Sequence, residues 1–439
     1  MSISNVRQLI HNWLLAHRDA GTCLLQQLVR CPSKAGAEAA AQQLIATHLQ
    51  SLQLEVEIWE PDGTQLAEHE YFYSPRQSFT GSPNIVAKMK GTGNGRSILL
   101  NGHIDVVPEG NVDDWRHDPF GGIKEEGKLY GRGASDMKGG TVSLLLALQA
   151  IKELGISLQG DVIFQSVIEE ESGGAGTLAA IVKGYKADAA LIPEPTNLRI
   201  FTKQQGSMWF RITVTGRAAH GGTRYEGVSA IEKSMLVVQG LQGLEHHRNS
   251  RITDPLYADN PIPVPINVGI IQGGNWPSSV PDTVVLEGRM GVAPYESLDD
   301  AKREMVEWIG EMAKHDAWLL EHPPKVEWFG ARWIPGDVDP DHEFARVLRN
   351  EYYATVGHEP KVEASPWGTD GGLLTKLADT PCIVFGPGVT EAAHYPNEYI
   401  VLDDVFTAAE VVAMTLIQWC GMEVIQDETD THDTYQPQD

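Results

Sequence analysis

The chain has 439 residues, more than one ordinary hydrophobic core accommodates, so two domains are expected. Its 34 basic residues stand against 59 acidic ones, a formal charge of -25, which argues against nucleic acid and anionic membrane as partners. Cys23, Cys31, Cys382 and Cys420 form no C-x-x-C pair, which argues against a thiolate zinc cage and fits reduced thiols in a cytoplasmic protein.

The N-terminal stretch MSISNVRQLIHNWLLAHRDAG mixes charged and polar residues among apolar ones. It reads as an amphipathic helix without a secretory apolar core, and no apolar run is long enough to span a bilayer. Residues 34–54 are alanine-rich with helical spacing, and residues 60–83 form a long polar loop with tyrosines, prolines and glycines. Four short apolar runs follow: SILLNG, DVIFQSVI, ADAALIP and TPCIVFG. Each is bounded by Gly or Pro and reads as a buried strand of a mostly parallel sheet. Helical patterns lie between them, among them TVSLLLALQAIKELG and GTLAAIVKGY. This alternation predicts an α/β domain whose central sheet is flanked by helices. The middle of the chain changes character: SMWFRITVTG, INVGIIQGG and DTVVLEGRM read as strands, VSAIEKSMLVVQGLQGL and LDDAKREMVEWIGEMAKH as helices. That order predicts an α+β sandwich at 206–329, inserted into a discontinuous domain of residues 1–205 and 330–439. Further helices are expected at 342–353 and 406–419, and the acidic tail 426–439 is expected to be disordered.

Ligands of open α/β sheets bind beyond the carboxyl ends of the strands. Here SILLNG runs into His103 and Asp105, DVIFQSVI into Glu169, Glu170 and Glu171, and ADAALIP into Glu194. His394 follows TPCIVFG after a short loop, and GRGASDMKGG places Asp136 just before a helix. Crowded carboxylates repel one another and lose water in a cleft. A pair of dications would turn that cluster into a ligand set of oxygen and nitrogen donors without sulfur. Taken singly each element is weak: H-x-D pairs mostly decorate surfaces, and a triple glutamate is usually a solvated face. GRGASDMKGG lacks the G-x-x-x-x-G-K-S/T pattern of a phosphate loop. Their joint placement at strand ends carries the reading.

In order along the chain stand NGHIDVVP, GRGASDMKGG, EEESGG, PEPT, GRAAHGG, INVGIIQGG, EGRM, GTDGG and AAHYPNEYI. This ordered set resembles the dinuclear zinc aminoacylase and carboxypeptidase family, which includes acetylornithine deacetylase and succinyl-diaminopimelate desuccinylase, over nearly the whole chain. The resemblance implies two divalent metal ions, zinc or else cobalt or manganese. His103 and Glu194 would hold one and Glu171 and His394 the other, with Asp136 bridging both and Asp105 clamping the His103 imidazole. Glu170 would be the general base; the S-G-G that follows favours Glu170 and Glu171 as the working pair and leaves Glu169 unassigned. The inserted domain would be a lid that dimerises, its His220 reaching the partner's active site to stabilise an oxyanion. Asn267 and Arg289 match substrate-binding positions. Arg289 suits a carboxylate, with a salt bridge inside the lid as the alternative. Gly368, Thr369 and Gly388 would line the pocket, with plain turn chemistry as the alternative.

The activity so implied is hydrolysis of an N-acyl amide (formyl, acetyl or succinyl) of an amino acid or related amine, by water activated between the metals. Relatives that deformylate a pyrimidine amine share the long polar loop before the first motif. A dipeptidase or carboxypeptidase is the alternative within the family. A non-catalytic binding protein or scaffold is the alternative outside it; such a protein is expected to lack ligands or base, whereas here all five ligands and Glu170 are present.

Overall fold

The structure, a computed structural model, describes residues 2–423, so the tail at 426–439 lies outside the described residues. The four apolar runs form the strands Ile98–His103, Val162–Val167, Ala190–Ile192 and Cys382–Val384. They are contiguous in the middle of a nine-stranded sheet, and every pairing among them is parallel. Ile98 and Leu100 belong to the large hydrophobic core, whereas Leu99 joins Ala190, Ile192, Leu374 and Val384 in a smaller cluster. The central strand is therefore covered on both faces, which is why it reads as an unbroken apolar run. Helices Gly139–Glu153 and Leu402–Cys420, from distant parts of the sequence, pack against each other and supply much of the large core.

The flanking strands were less legible. Glu55–Trp59 and Asn84–Met89 pair antiparallel at one side of the sheet, and Ile200–Gln204 with Val362–Ser365 and Gly336–Asp337 completes the other. Glu55–Trp59 is half exposed at a sheet edge, so its composition is mixed. Residues 60–83 hold one short helix, Gly63–Leu66, capped by the Asp62 carboxylate.

A second, four-stranded antiparallel sheet is built from Gly206–Thr215, Ile266–Gly273, Thr283–Val292 and Lys325–Trp333. Helices Ala230–Asn249 and Leu298–Ala313 pack on it around a core of their own that includes Phe210, Val237, Leu286 and Met305. Its last strand runs to Trp333, beyond the boundary read at residue 329. The register slips between Phe329 and Arg332, with Gly330 at φ 65°, and this bulge breaks the alternation that marks a strand. Among the described residues no helix is long and apolar enough to cross a membrane.

Candidate metal centre and active site

Parallel pairing brings three strand ends to one edge of the sheet. His103 is the last residue of its strand and pairs with Val167, two residues before the triple glutamate; Glu194 lies two residues past Ala190–Ile192. His103 is 1% exposed and Glu194 4%. The His103 imidazole lies with Nδ1 2.9 Å from the main-chain carbonyl of Asp105. Nε2, the atom left to bind a metal, faces Asp136 Oδ1 at 3.1 Å and Glu194 Oε1 at 3.7 Å. The other oxygen of Asp136 lies 3.1 Å from His394 Nε2, which in turn lies 3.1 Å from Glu171 Oε2. One carboxylate thus presents one oxygen to each of two histidine–glutamate pairs. His103, Asp136 and Glu171 bring ligand atoms within 4.8 Å of one another, as do His103, Glu170 and Glu194.

The Asp105 carboxylate does a further job beside the expected clamp. It stands 3.7 Å from His103 Nδ1, farther than its own main-chain carbonyl. Its two oxygens accept the main-chain N–H groups of Glu170 at 3.2 Å and Glu171 at 3.1 Å. Sequence reasoning also missed Glu398, which is fully buried. Its carboxylate accepts from Arg132 Nη1 at 2.6 Å and from the main-chain N–H groups of Gly133, Ser135 and Asp136 at 2.9–3.1 Å. It thereby sets the loop that carries Asp136, where the Asp136–Met137 peptide is cis. Asp370 was missed as well. It is 1% exposed and neither carboxylate oxygen has a hydrogen-bond partner among the described residues. A glutamate four residues after His394 and an aspartate inside GTDGG carry no local pattern that separates them from turn residues.

The electrostatics show a surplus of buried negative charge. Burial, reinforced by Asp136, pushes Glu194 up to about 8. Burial, reinforced by Asp370 and Glu194, raises Glu170 well above the ordinary glutamate value. Burial opposes it, but hydrogen bonds from both imidazoles hold Asp136 below the usual carboxylate range. His394 goes the other way: burial alone would lower it, yet Glu171 and Asp136 outweigh that and push it up to about 11.

This donor set fits two divalent cations. Ligands of a tetrahedral zinc ion lie about 3.3–3.6 Å from one another, given bonds of about 2.0–2.2 Å. His103 lies 3.1 Å from Asp136 and 3.7 Å from Glu194, and His394 lies 3.1 Å from both Asp136 and Glu171. Two imidazoles and three carboxylates without sulfur are ordinary ligands for such ions.

The site opens into a cavity of about 560 Å³ lined by Asp136, Glu170, Glu171, Glu194 and His394 together with Ser207, Arg289, Trp333, Trp367 and Gly368. Arg289 donates to Gln205 Oε1 at 2.9 Å and has no carboxylate partner among the described residues; burial pushes it down to about 10. Thr369 sits beneath the cavity wall, where its hydroxyl donates to Gln204 Oε1. Gly388 packs against the Ser135 carbonyl under the Asp136 loop, with no room for a side chain. Asn267 is exposed on an edge strand, opposite Arg289 in the ladder. His220 is exposed, its Nδ1 accepting the Gly222 N–H at 3.1 Å. Neither Asn267 nor His220 lines the cavity.

A family model described as peptidase family M20/M25/M40 matches residues 99–418. The chain belongs to this M20 family. It is accordingly a metal-dependent hydrolase of carbon–nitrogen amide bonds. The chain is 34% identical over 436 residues to N-formyl-4-amino-5-aminomethyl-2-methylpyrimidine deformylase of Halalkalibacterium halodurans, covering 93% of this chain and 97% of that protein. Its fold is similar to that of the di-peptidase Dug1p from Saccharomyces cerevisiae, at 15% identity and a TM-score of 0.74, over 96% of this chain and 99% of that one. It is also similar to the YXEP protein of Bacillus subtilis, described as a dinuclear metal binding peptidase from the M20 family. That match has 18% identity and a TM-score of 0.63, over 94% of this chain and 99% of that one.

Proposed function

We propose that this M20 chain is a deformylase that removes a formyl group from an aminomethylpyrimidine, working with two divalent cations, zinc foremost. The observation that carries this reading is the 34% identity with a deformylase across 93% of this chain and 97% of that one. The cavity supports it, because Trp333, Trp367 and Pro366 give it flat apolar wall that suits a planar heteroaromatic ring. His103 and Glu194 would hold one cation, His394 and Glu171 the other, and Asp136 would bridge them. When bound, the cations lower the pKa of water toward neutrality and polarise the formyl carbonyl. Glu170 takes the proton from the attacking water and delivers it to the leaving amine nitrogen. Asp105, through the N–H groups of Glu170 and Glu171, keeps base and ligand in fixed register. Formate release from N-formyl-4-amino-5-aminomethyl-2-methylpyrimidine should exceed acetate release from N-acetylornithine by about a hundredfold or more in kcat/KM. A preference for the acetyl amino acid would overturn the assignment.

One observation favours a second reading. Arg289 faces the cavity without a carboxylate partner among the described residues, which suits an N-acyl amino acid or a dipeptide bearing an α-carboxylate. Arg289→Met separates the two. It should raise KM for an N-acyl amino acid about tenfold or more, the worth of a charge-assisted bidentate pair, and leave KM for the formylpyrimidine within about twofold.

We further propose that residues 206–329 act as a lid through which two copies pair. Ile266–Gly273 is the outer strand of its sheet, and Ile270 and Ile271 on it are 47% and 59% exposed, with Met235 on the adjoining helix at 59%. An exposed apolar edge strand is a ready site for strand addition by a second copy. His220, exposed and outside its own chain's cavity, would then serve the partner's site. Sedimentation should give a dimer, and His220→Ala should lose about 100-fold in kcat with little change in Tm. A monomer of full activity would refute both points. A cytoplasmic location belongs to the same proposal and is checked by cell fractionation.

A further inference from the structure

Glu169, the first of the three glutamates, lies at φ 62° and is fully buried. Glu170 and Glu171 line the cavity, but Glu169 is held on another side by residues of the long polar stretch at 60–83. Its carboxylate accepts from Arg76 Nε at 2.6 Å, from the Ser74 hydroxyl at 2.7 Å and from the Ser172 hydroxyl at 2.5 Å. The rest of the Arg76 guanidinium is committed elsewhere: Nη2 donates to Glu38 Oε1 at 2.7 Å and Nη1 to the Ser82 hydroxyl at 2.8 Å. One guanidinium therefore joins two carboxylates that have lost their water, a geometry that a planar fork of donors fulfils and a single ammonium does not. Tyr73 lies against Gly173, where a Cβ would come 3.3 Å from its ring and carbonyl oxygen. One residue earlier, the Phe72 carbonyl accepts from Arg332 Nη2 at 3.1 Å, on the last strand of the four-stranded sheet and next to the cavity-lining Trp333.

We propose that segment 72–76 is a positioning strap, in which Arg76 and Ser74, through Glu169, hold the main chain of Glu170 and Glu171 in place, while Phe72 ties the strap to the four-stranded sheet at Arg332. The catalytic pair is then gripped from two sides: Asp105 takes its N–H groups, and the strap fixes the residue before it. Short turns close the segment, with Gly174 N–H donating to Glu169 O at 2.7 Å and Gly173 N–H to Glu170 O at 3.0 Å. Freeing Glu169 loosens this turn and lets the base wander from its water, where a displacement of about 1 Å costs about a hundredfold in rate. Glu169 is a positioning residue, since it acts through Glu170. The inference rests on the reading of Glu170 as base.

The test compares Glu169→Gln, Arg76→Lys and Arg76→Gln with the unmodified chain. Two measurements are made: hydrogen exchange of the peptide spanning 168–176, and kinetics with N-formyl-4-amino-5-aminomethyl-2-methylpyrimidine at full zinc loading. All three variants should speed exchange in that peptide about fivefold or more. They should lower kcat about 10- to 100-fold with KM within about twofold and metal content unchanged, and Arg76→Lys should retain more activity than Arg76→Gln. Should Glu169→Gln fail to fold, Arg76→Lys, which keeps the charge, decides alone. Unchanged exchange, unchanged kcat, or a kcat loss that tracks loss of metal would each overturn the strap. If the unmodified chain releases no formate, it is the deformylase reading that fails, and the exchange comparison still decides the strap.

Discussion

Glu170→Gln lowers kcat by about 10³-fold or more and leaves bound metal at the level of the unmodified chain. The amide of Gln matches the carboxylate in shape, so the cavity and the N–H bonds from Glu170 and Glu171 to Asp105 survive. What is lost is the ability to accept a proton, and a general base accounts for about 10²–10⁴ in rate. The setting of Glu170 makes it a strong proton acceptor. It is 7% exposed, and burial with Asp370 and Glu194 nearby raises its proton affinity. Because Glu170 is not needed to hold His103, Asp136 or His394, metal analysis of the purified variant separates a lost base from a lost ligand. A variant that keeps a tenth of normal turnover would remove Glu170 from the role.

Asp136→Asn is the second large effect. Its two oxygens face His103 Nε2 and His394 Nε2 at 3.1 Å each, so two cations held by these histidines would share it. Asn keeps one acceptor oxygen and turns an NH₂ toward the other side. Bound metal should fall from two per chain to one or none, with a loss of about 10³-fold or more in activity, measured by metal analysis and formate release. Proton linkage checks the same centre. Glu171 and Asp136 hold His394 well above an ordinary imidazole, so at pH 7 a cation must displace its proton. Metal binding at pH 7 should release protons and tighten as pH rises, seen by calorimetry in buffers of differing ionisation enthalpy. Two metals retained by Asp136→Asn would break the bridging assignment.

The large sheet is legible in the residues because its central strands are covered on both faces. Burial leaves an unbroken apolar run that punctuating glycines and prolines delimit, as in SILLNG and TPCIVFG. Edge strands such as Glu55–Trp59 carry no such mark, and the bulge at Gly330 hid the true end of Lys325–Trp333. The histidines and acids of the candidate metal centre are legible because they stand at strand ends, where ligands of open α/β sheets bind. Their mutual pairing became a reading only through the ordered set of motifs.

Residue types alone show what stands at the end of each apolar run, and hence that imidazoles and carboxylates without thiolates meet at one sheet edge. The support comes from long-range packing: Glu398 on the loop of Asp136, Asp105 turned to the N–H groups of Glu170 and Glu171, and Arg76 spanning Glu38 and Glu169. The reason is distance along the chain. Periodicity reports which face of an element is buried, but a contact 262 residues apart, as between Asp136 and Glu398, depends on how whole layers are stacked, and no local pattern records that.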